Sequence, residues 1–389
     1  MINKKSNLVS AIYSHPESYP PTLNAISELA DMFDTIKLLY IPHYIGNWNY
    51  PNNVHLIPSI SETSFEKYRK SNSLIKFIYF IKYVHRLYQI CQKNKPKIIL
   101  LYDSIPLFAY LIIRPLLFFN HKIWYHNHDI NEVHRHNLFS IGRMAFFLEK
   151  KYFNKIDIFS IPSSERLKYF PIESFHGKIF TIPNYPSKKI YSKYYLKKKI
   201  DKEVNIIFQG RIDSSHGIEN IIPILGKLNN ILNVKLFLKG SIDQNYKIIL
   251  QNLAIKFGVV DKLQFFPFSS YKSVPMLASS CHIGIAIFTD TGVMQKTLGT
   301  SSNKIYEYAA LGLPVIYLNF EHFRRILAKF KWAVPLKDLS EEELLKSIRI
   351  ILNNYDSMSL QAHLDFTNEY NFENVFSSVS NFIYKIIQN

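Results

Sequence analysis

The stretch of sequence that decides the fold is Thr300-Ser301-Ser302-Asn303-Lys304-Ile305-Tyr306-Glu307-Tyr308-Ala309-Ala310-Leu311-Gly312-Leu313-Pro314-Val315-Ile316. It predicts a short helix that is followed by a buried strand. The three hydroxyl residues at its start can accept hydrogen bonds from the exposed amides of a first helical turn. Gly312 can take the left-handed conformation that ends a helix, and Pro314 prevents the helix from continuing. The apolar run that begins at Val315 is typical of a strand in the core of an α/β protein.

The predicted helix carries polar side chains on one face. Lys304, Glu307 and Tyr308 are three or four residues apart and therefore lie on the same side of the helix. A helix N-terminus that is opened by hydroxyl residues, with a lysine in its first turn, can bind an anion such as a phosphate. The same pattern also fits an ordinary α/β crossover whose Lys/Glu pair is solvated, so periodicity alone leaves both interpretations open.

The run from Ser301 to Tyr308, together with the Gly-Leu-Pro-Val-Ile segment after it, resembles the donor-site motif of retaining GT-B glycosyltransferases. The most similar group is glycosyltransferase family 4, which builds bacterial polysaccharides and glycolipids. The resemblance implies an α/β protein with two Rossmann-like, doubly wound domains that face a central cleft. It also implies that the helix carboxylate, here Glu307, binds the ribose of a nucleoside diphosphate sugar. We expect no cofactor and no metal.

Composition and charge limit the function classes. The chain has 389 residues, enough for two domains, and 47% of them are hydrophobic. Cys91 and Cys281 form no disulfide or metal pattern, which fits a reducing compartment and predicts a cytoplasmic protein. The net charge of +17 favours anionic partners such as a phosphorylated substrate or an anionic membrane surface. We expect no nucleic acid partner, because no RNA-binding motif is present, and no apolar run reaches the roughly 20 residues of a membrane span.

Apolar strand-like segments alternate with helix-like segments in both halves of the chain. This alternation predicts parallel sheets with helices on both faces, and ligands in the crevice outside the carboxyl ends of the strands. We expect the first domain at residues 1–190, with a C-terminal helix from 371–389 packed on it, and the second at 200–365. Residues 187–203 are lysine-rich and lack apolar periodicity, which predicts a linker. A single long helical region is expected over residues 65–93.

The resemblance extends to the diphosphate site. Gly210 and Arg211 end a predicted strand where the family has a Gly-Arg pair, whose arginine binds the diphosphate. The planar guanidinium suits this role because it bonds phosphate oxygens bidentately, and it makes Arg211 a candidate catalytic residue. Five residues later the family usually has a lysine, whereas this chain has His216. Either a protonated His216 or Lys304 must then supply the second positive charge.

Other donor-site positions follow the family less closely. The family's two-glutamate motif places its first carboxylate eight residues before the second, and that position is Gly299 here. Contacts to the donor sugar must therefore come from elsewhere, and the loop 289–293 and the amides of 299–301 are candidates. We assign Thr300, Ser301 and Ser302 to donor binding. Pro267 and Phe268 follow a strand where the family recognises the nucleobase, although core packing explains the phenylalanine almost equally well.

A polar cluster after the strand that ends near His126 resembles the family's strand-end His-Asp segment. It implies that His128 contacts the donor sugar as a candidate catalytic residue, and that His126 and Asp129 lie on the acceptor side. The two histidines share one face of an extended strand and could begin a zinc site if Asp129 or His134 completed it. Alternatively, both histidines only form hydrogen bonds within their own loop.

Two further regions are assigned to the acceptor side. His15 and Glu17 lie in a loop that takes the place of the family's glycine-rich acceptor loop but lacks glycine. The basic and apolar stretch 67–88 predicts a helix at a membrane surface, and it is equally compatible with a helix packed on the sheet. Its expected polar stripe consists of Lys76, Tyr79, Tyr83 and Arg86, and its expected apolar face of Leu74, Phe77, Ile78, Ile81 and Val84.

The sequence therefore predicts a retaining glycosyltransferase that acts on a saccharide or lipid-linked saccharide in surface polysaccharide assembly. Two alternatives remain open at this stage. One is a GT-B-fold sugar-nucleotide epimerase, which would need acid/base carboxylates near the bound sugar. The other is a degenerate, non-enzymatic nucleotide-binding protein, which Gly299 and His216 make plausible.

Overall fold

A computed structural model describes residues 6–42, 47–132, 137, 140–200, 203–228, 231–288 and 292–388. The chain divides into two compact units. The first unit comprises residues 1–183 and 375–389, and the second comprises residues 184–374. Each contains one parallel β-sheet with helices around it. This architecture confirms the predicted pair of Rossmann-like domains.

The first unit is built on a seven-stranded sheet with the order β3-β2-β1-β4-β5-β6-β7. Its strands are β1 (Asn7–Ile12), β2 (Thr35–Tyr40), β3 (Val54–Pro58), β4 (Ile98–Tyr102), β5 (Lys122–His126), β6 (Ile158–Ile161) and β7 (Lys178–Thr181). Its helices are α1 (Pro20–Ala30), α2 (Glu62–Lys70), α3 (Ser73–Asn94), α4 (Ser104–Ile113) and α5 (Ile141–Tyr152). The strand order reverses between β1 and β4, and such a switch point opens a crevice at the carboxyl ends of the strands.

The second unit has a six-stranded sheet with the order β10-β9-β8-β11-β12-β13. Its strands are β8 (Glu203–Gln209), β9 (Asn233–Lys239), β10 (Leu263–Phe266), β11 (Ile283–Ala286), β12 (Val315–Leu318) and β13 (Ala333–Leu336). The helices are α6 (Lys188–Tyr191), α7 (Ile218–Leu228), α8 (Gln244–Lys256), α9 (Val274–Ala278), α10 (Val293–Lys296), α11 (Asn303–Ala310), α12 (Glu321–Leu327), α13 (Glu341–Asn353) and α14 (Tyr355–Asn368). The chain ends in α15 (Phe372–Gln388), whose C-terminal part belongs to the first unit.

Two elements of the first unit differ from the prediction. The expected long helix over 65–93 is interrupted, because Asn72 caps a new helix by accepting a hydrogen bond from the Ile75 amide at 3.0 Å. β3 was not predicted. It is an edge strand in which only Val54 is fully buried, so its sequence lacks the apolar run or alternation that signals a strand.

The predicted linker is partly structured. Residues 188–194 form α6 and a 3-10 turn, and the Tyr191 side chain is fully buried within the second unit. The Ser187 hydroxyl donates to Glu373 at 2.6 Å, and the Lys198 ammonium donates to the Leu311 carbonyl at 3.1 Å. The exposed lysines gave this segment the composition of a linker, while a few buried contacts hold it in place.

The start of α11 corrects the predicted helix cap. Residues Gly299–Ser301 form a 3-10 turn, and α11 begins only at Asn303. Ser302 occupies the N-cap position, but its side chain makes no cap hydrogen bond. The Ser301 hydroxyl instead donates to the Leu298 carbonyl at 2.7 Å, because the 3-10 turn directs it back toward the preceding residues.

Candidate functional site

Two glycine turns lie side by side at the carboxyl ends of β8 and β9 in the second unit. Gly210 and Gly240 have φ values of 124° and 144°, and the Gly210 amide donates to the Lys239 carbonyl at 2.9 Å. A Cβ atom at Gly240 would lie only 1.8 Å from the Gly210 carbonyl oxygen. The two backbone segments can approach this closely only because residue 240 is a glycine. The absence of side chains at both turns also leaves the strand ends open to a ligand.

Helix α11 packs against the end of β8 through Tyr308. The hydroxyl of Tyr308 accepts a hydrogen bond from the Gln209 amide at 2.8 Å. The ring of Tyr308 occupies the space above Gly284 in β11, where a Cβ atom would lie 2.3 Å from it. Because these contacts join α11 to β8 and β11, they determine where the polar face of α11 stands relative to the glycine turns.

Replacing Gly284 by alanine is expected to destabilise the protein by about 1–3 kcal/mol, the usual cost of overpacking a core. The added methyl group collides with the Tyr308 ring and displaces α11. Chemical denaturation of the single variant and of Gly284→Ala combined with Tyr308→Leu measures this effect. In the Tyr308→Leu background no ring fills the space, so we expect the alanine to lower the free energy of unfolding by less than it does in the wild type. An equal loss in both backgrounds would contradict the proposed contact.

Glu307 is buried beside the glycine turns. Glu307 is 6% exposed, and its carboxylate accepts a hydrogen bond from Gln209 Nε2 at 2.5 Å. Burial raises the pKa of this carboxyl to about 6, although the side chains of Tyr191 and Gln209 and the charge of Lys304 oppose the shift. Neither Gln209 nor Tyr191 was predicted as a site residue, because their proximity to Glu307 depends on residues about 100 positions away in the sequence.

Lys304 stands over the Gly210 turn, between two aromatic rings. Its ammonium lies 4.0 Å from the ring centre of Phe208 and 4.6 Å from that of Phe288. The Lys304 nitrogen is also 3.6 Å from the position a Cβ atom would take at Gly210. Burial lowers the pKa of this lysine to about 7, against the opposing charges of Glu307 and Asp213. The Lys304 nitrogen therefore lies next to the Gly210 turn, where its charge depends on pH near neutrality.

His216 lies against the same aromatic pair. Its ring is 4.9 Å from Phe208 and 5.2 Å from Phe288, and its Nδ1 is 3.1 Å from an Asp213 oxygen. Burial, and then the charge of Lys304, lower the pKa of His216 to about 4. The imidazole is therefore neutral near pH 7 in the absence of a ligand. Of the two candidates for the second cation, the pKa values favour Lys304, and the assignment stays a prediction.

The remaining donor-side residues occupy more open positions. Arg211 is 81% exposed and pairs with Asp213, with 3.1 Å between Nε and Oδ2. Phe268 is 60% exposed, which argues against core packing as its role, and Pro267 beside it is exposed as well. Ser301 and Ser302 are buried, and the carbonyl groups of Thr300 and Ser301 accept hydrogen bonds from Asn184. Residues 289–291 of the loop proposed for sugar contacts lie outside the described residues.

The two predicted histidines of the first unit are buried and uncharged. His126 Nδ1 lies 2.8 Å from the Ser160 hydroxyl, and His128 Nε2 lies 2.8 Å from the Thr22 hydroxyl. Burial lowers the pKa of His126 to about 3 and that of His128 well below its ordinary value. Among the described residues no group of His, Cys, Asp or Glu is arranged to hold a metal, and His134 lies outside them. The role of His128 in catalysis stays a prediction.

His15 and Glu17 make contacts within their own unit. His15 Nδ1 accepts a hydrogen bond from the Glu17 amide at 3.3 Å. The Glu17 carboxylate accepts hydrogen bonds from the amides of Asn47 and Trp48, both at 3.2 Å. Both side chains are buried, and Glu17 joins its own loop to residues 47–48. Their assignment to the acceptor side stays a prediction.

Sequence analysis missed two ionisable residues next to His128 and Asp129, namely Asp103 and Arg166. Asp103 follows β4, and its Oδ1 accepts hydrogen bonds from the amides of His128 at 2.7 Å and Asp129 at 3.3 Å. Arg166 is buried and donates to the His128 carbonyl at 2.5 Å. The only signal in the sequence was a carboxylate directly after the apolar run of β4, where strand ends meet in parallel sheets.

Comparisons with known proteins agree with this geometry. Residues 196–365 match the family model described as glycosyl transferases group 1. The matched segment lies within the second unit and contains every residue that the sequence assigned to donor binding. No curated protein matches the sequence.

Solved structures resemble the whole chain at low sequence identity. Sucrose-phosphate synthase from Thermosynechococcus elongatus has a TM-score of 0.70 at 12% identity, covering 99% of this chain and 100% of that one. HepE from Anabaena, solved with UDP and glucose, has a TM-score of 0.67 at 13% identity, covering 98% and 100%. A putative UDP-N-acetylglucosamine 2-epimerase from Listeria monocytogenes has a TM-score of 0.62 at 12% identity, covering 99% and 98%. These similarities show the GT-B fold, and with the family match they support a glycosyltransferase.

Proposed function

We propose that this protein transfers a sugar, with retention, from a nucleoside diphosphate sugar to a saccharide or lipid-linked saccharide acceptor. The observation that carries the proposal is the grouping of Glu307 and Lys304 beside the paired glycine turns of Gly210 and Gly240. A carboxylate suits the two ribose hydroxyls, and a cation over open backbone suits a diphosphate. The complex of HepE with UDP and glucose supports this class of donor. The transfer would serve surface polysaccharide assembly in the cytoplasm.

The proposed reaction needs stabilisation of the leaving group more than a strong base. The bond between the sugar C1 and the diphosphate oxygen breaks, and the acceptor oxygen bonds to the same face of C1. The departing phosphate oxygen takes the acceptor proton. Lys304, and Arg211 once it exchanges its exposed pair with Asp213 for phosphate, would stabilise the charge that develops on the diphosphate.

A thermal-shift screen of nucleoside diphosphates and nucleotide-sugars is the direct test. A ligand at 100 times its dissociation constant adds about 2.7 kcal/mol to stability, which is easily seen. Donors that shift the melting temperature are then incubated with saccharide acceptors, and NMR of the product reports the anomeric configuration. Inversion at C1 would contradict retention, and the absence of any nucleotide-dependent shift would contradict the donor site.

The same assay separates the two alternatives. A sugar-nucleotide epimerase would convert the nucleotide-sugar to its 2-epimer without an acceptor. A degenerate nucleotide-binding protein would show the thermal shift but no turnover with any donor. Formation of a new glycosidic bond excludes both as the principal function.

We also propose that helix α3 rests on an anionic membrane surface. Leu74, Phe77, Ile78 and Ile81 are 69%, 42%, 48% and 46% exposed. The exposed cations Lys67, Arg69 and Lys70 lie at the end of the neighbouring helix α2. Exposed apolar side chains beside cations are typical of interfacial helices, and each cation adds about 1 kcal/mol near anionic lipid. No helix in the described ranges is long and apolar enough to cross a bilayer.

The structure corrects the predicted faces of α3. Tyr83, expected on the polar stripe, and Val84, expected on the apolar face with Leu74, are both buried. The core-facing side of the helix instead comprises Phe80, Tyr83, Val84, Leu87, Ile90 and Cys91. The exposed apolar side chains therefore lie in the first half of the helix.

Liposome flotation tests the membrane proposal. We expect binding to vesicles that contain phosphatidylglycerol, and this binding should weaken with salt and in Lys76→Glu combined with Lys82→Glu. The matched control is Lys256→Glu with Lys331→Glu, which makes the same change in net charge in the second unit. Equal losses in both double variants, or recovery of the wild type in the lipid-free fraction, would refute a specific role for α3.

A further inference from the structure

A cavity of about 350 Å³ lies within the first unit. It is bounded by the segment that follows β1, by the end of β4 with the start of α4, and by residues 129–132 after β5. Its polar wall comprises Ser14, Tyr19, Tyr102, Asp103, Asp129 and Glu132. A cavity of this size can hold one sugar ring. None of the glycosyl donor residues of the second unit contributes to it.

Asp103 is held at this cavity in an unusual backbone conformation. Its φ and ψ are 67° and 174°, a region that is essentially restricted to glycine. Its amide donates to the His126 carbonyl at 2.8 Å, and its Oδ1 accepts from the amides of His128 and Asp129. The second carboxylate oxygen, Oδ2, accepts no hydrogen bond from the described part of the chain, and the side chain is partly exposed at the cavity.

Tyr102 supplies a second, independent observation. It lines the cavity and is 2% exposed, and its hydroxyl has no hydrogen-bond partner among the residues that the structure describes. Its ring stacks on His128, with ring centres 5.1 Å apart and an angle of 2° between the planes. A buried hydroxyl without a partner is unfavourable by about 1–3 kcal/mol, so a ligand group that bonds it would recover that free energy.

The charges around the cavity discriminate between ligand classes. Burial, and then the charge of Asp129, raise the pKa of Asp103 to about 8, so Asp103 is mostly protonated at neutral pH because a second negative charge is unfavourable in this cavity. Glu132 adds a third carboxylate, while the charge of Arg166 acts on both aspartates and its guanidinium is bonded to the His128 carbonyl. A phosphate or carboxylate of a ligand would add a further negative charge. Sugar hydroxyls instead form hydrogen bonds with carboxyl groups, and the C–H groups of a sugar ring can pack on the half-buried Tyr19 ring.

We propose that Tyr102, Asp103 and Asp129 form a subsite that binds an uncharged sugar ring of the acceptor and rejects ligands with a phosphate or carboxylate at that position. The proposal rests on the proposed function, since it specifies which acceptors the enzyme selects. Asp103 Oδ2 forms a hydrogen bond with one sugar hydroxyl, and the Tyr102 hydroxyl forms one with a neighbouring hydroxyl. The Tyr19 ring covers one face of the sugar. The hydrogen bonds of Asp103 with His126, His128 and Asp129 hold this strained conformation in place.

Saturation-transfer NMR on the full chain tests the subsite. The probes are methyl glucoside, methyl galactoside and methyl mannoside, compared with glucuronate, glucose 6-phosphate and glucosamine. We expect at least one neutral glycoside to bind, and Tyr102→Phe and Asp103→Asn each to weaken it by about tenfold, the effect of one buried polar group. Tyr83→Phe is the matched control, because it removes another fully buried hydroxyl without a described partner that does not line the cavity.

Several outcomes would overturn the proposal. The proposal is wrong if no neutral glycoside binds, or if glucuronate, glucose 6-phosphate or the cationic glucosamine binds as tightly as the neutral glycosides or more tightly. It is also wrong if Tyr83→Phe and Tyr102→Phe lose equal glycoside affinity. Melting temperatures of all variants show whether they are folded. The thermal shift with nucleotide-sugar is measured on the same samples. A normal shift without glycoside binding refutes only the subsite, whereas loss of the shift refutes the proposed donor site.

Discussion

Lys304→Met is expected to bind a nucleotide-sugar about 10- to 100-fold more weakly than the wild type at pH 6, the range that corresponds to one charge-assisted hydrogen bond. In the free protein, burial lowers the pKa of Lys304 to about 7. A bound diphosphate stabilises the ammonium and so raises this pKa. The affinity for the nucleotide-sugar is therefore greatest below pH 7. Above pH 7 the neutral Lys304 must take up a proton when the ligand binds, so the affinity falls by at most tenfold per pH unit.

Calorimetry between pH 6 and pH 9 measures this dependence. A nucleotide-sugar is the better ligand, since both of its phosphates are esterified and neither titrates in this range. We expect the slope to disappear in Lys304→Met and to persist in His216→Gln, because the pKa of His216 is already lowered to about 4. A slope that survives in Lys304→Met and vanishes in His216→Gln would assign the titrating charge to His216 instead.

The ligand-free protein offers an independent check on the burial of Lys304. The pKa of Lys304 is lower in the folded state than in the unfolded state. At a pH where the lysine is charged in both states, it therefore destabilises the folded protein. Relative to the wild type, Lys304→Met should therefore gain most stability below pH 7. The gain should shrink as the pH rises from about 7 toward the ordinary lysine value. Melting temperatures across this range test the sign.

Glu307→Gln is expected to lower affinity by about 10- to 100-fold for nucleoside, nucleoside diphosphate and nucleotide-sugar alike, because it removes a charged acceptor from the ribose. Lys304→Met should leave the free nucleoside unaffected. This contrast separates the ribose contact from the diphosphate contact. Calorimetry with the three ligands measures it, and Glu321→Gln, an exposed glutamate in the same unit, is the matched control. Unchanged nucleoside affinity in Glu307→Gln would place the ribose elsewhere.

The loss of binding in Glu307→Gln should occur without a loss of stability. Burial raises the pKa of Glu307 to about 6, so the folded state is favoured by its protonated form, and that contribution is lost as the pH rises through 6. At pH 7.5 the neutral glutamine is therefore expected to match or exceed the wild type in chemical denaturation. A large destabilisation would show that the carboxylate holds the fold together through Gln209.

Local patterns in the sequence predicted most of the fold. Nearly all strands were found because they are continuous apolar runs between helical segments, and α11 with β12 was found because Gly312 and Pro314 mark where the helix ends. Two strands were missed, β3 and β13, and both lie at a sheet edge. β3 buries too few side chains to leave an apolar run, and β13 has only four residues and includes the exposed Pro335. The helix cap at Ser302 was wrong because a 3-10 turn precedes α11 and redirects the hydroxyl groups.

The candidate site likewise has one part that the sequence predicted and one part that it did not. Glu307 and Lys304 were predicted together because residues three apart share a helix face, and that relation is independent of the rest of the chain. The neighbours that set their protonation were not predictable. Gln209 and Phe208 reach α11 across about 100 residues, and Asp103 reaches His128 across 25.

The sequence by itself determined the class of fold, the order of most elements up to β12 and the polar face of α11, since each depends on residues within a few positions of one another. The tertiary structure decided which groups carry charge at the site, which side of α3 is exposed, and that a carboxylate after β4 lines a cavity. The physical reason is that a pKa and a buried surface depend on everything packed around a group. In a parallel sheet those neighbours come from strand ends far apart in the chain.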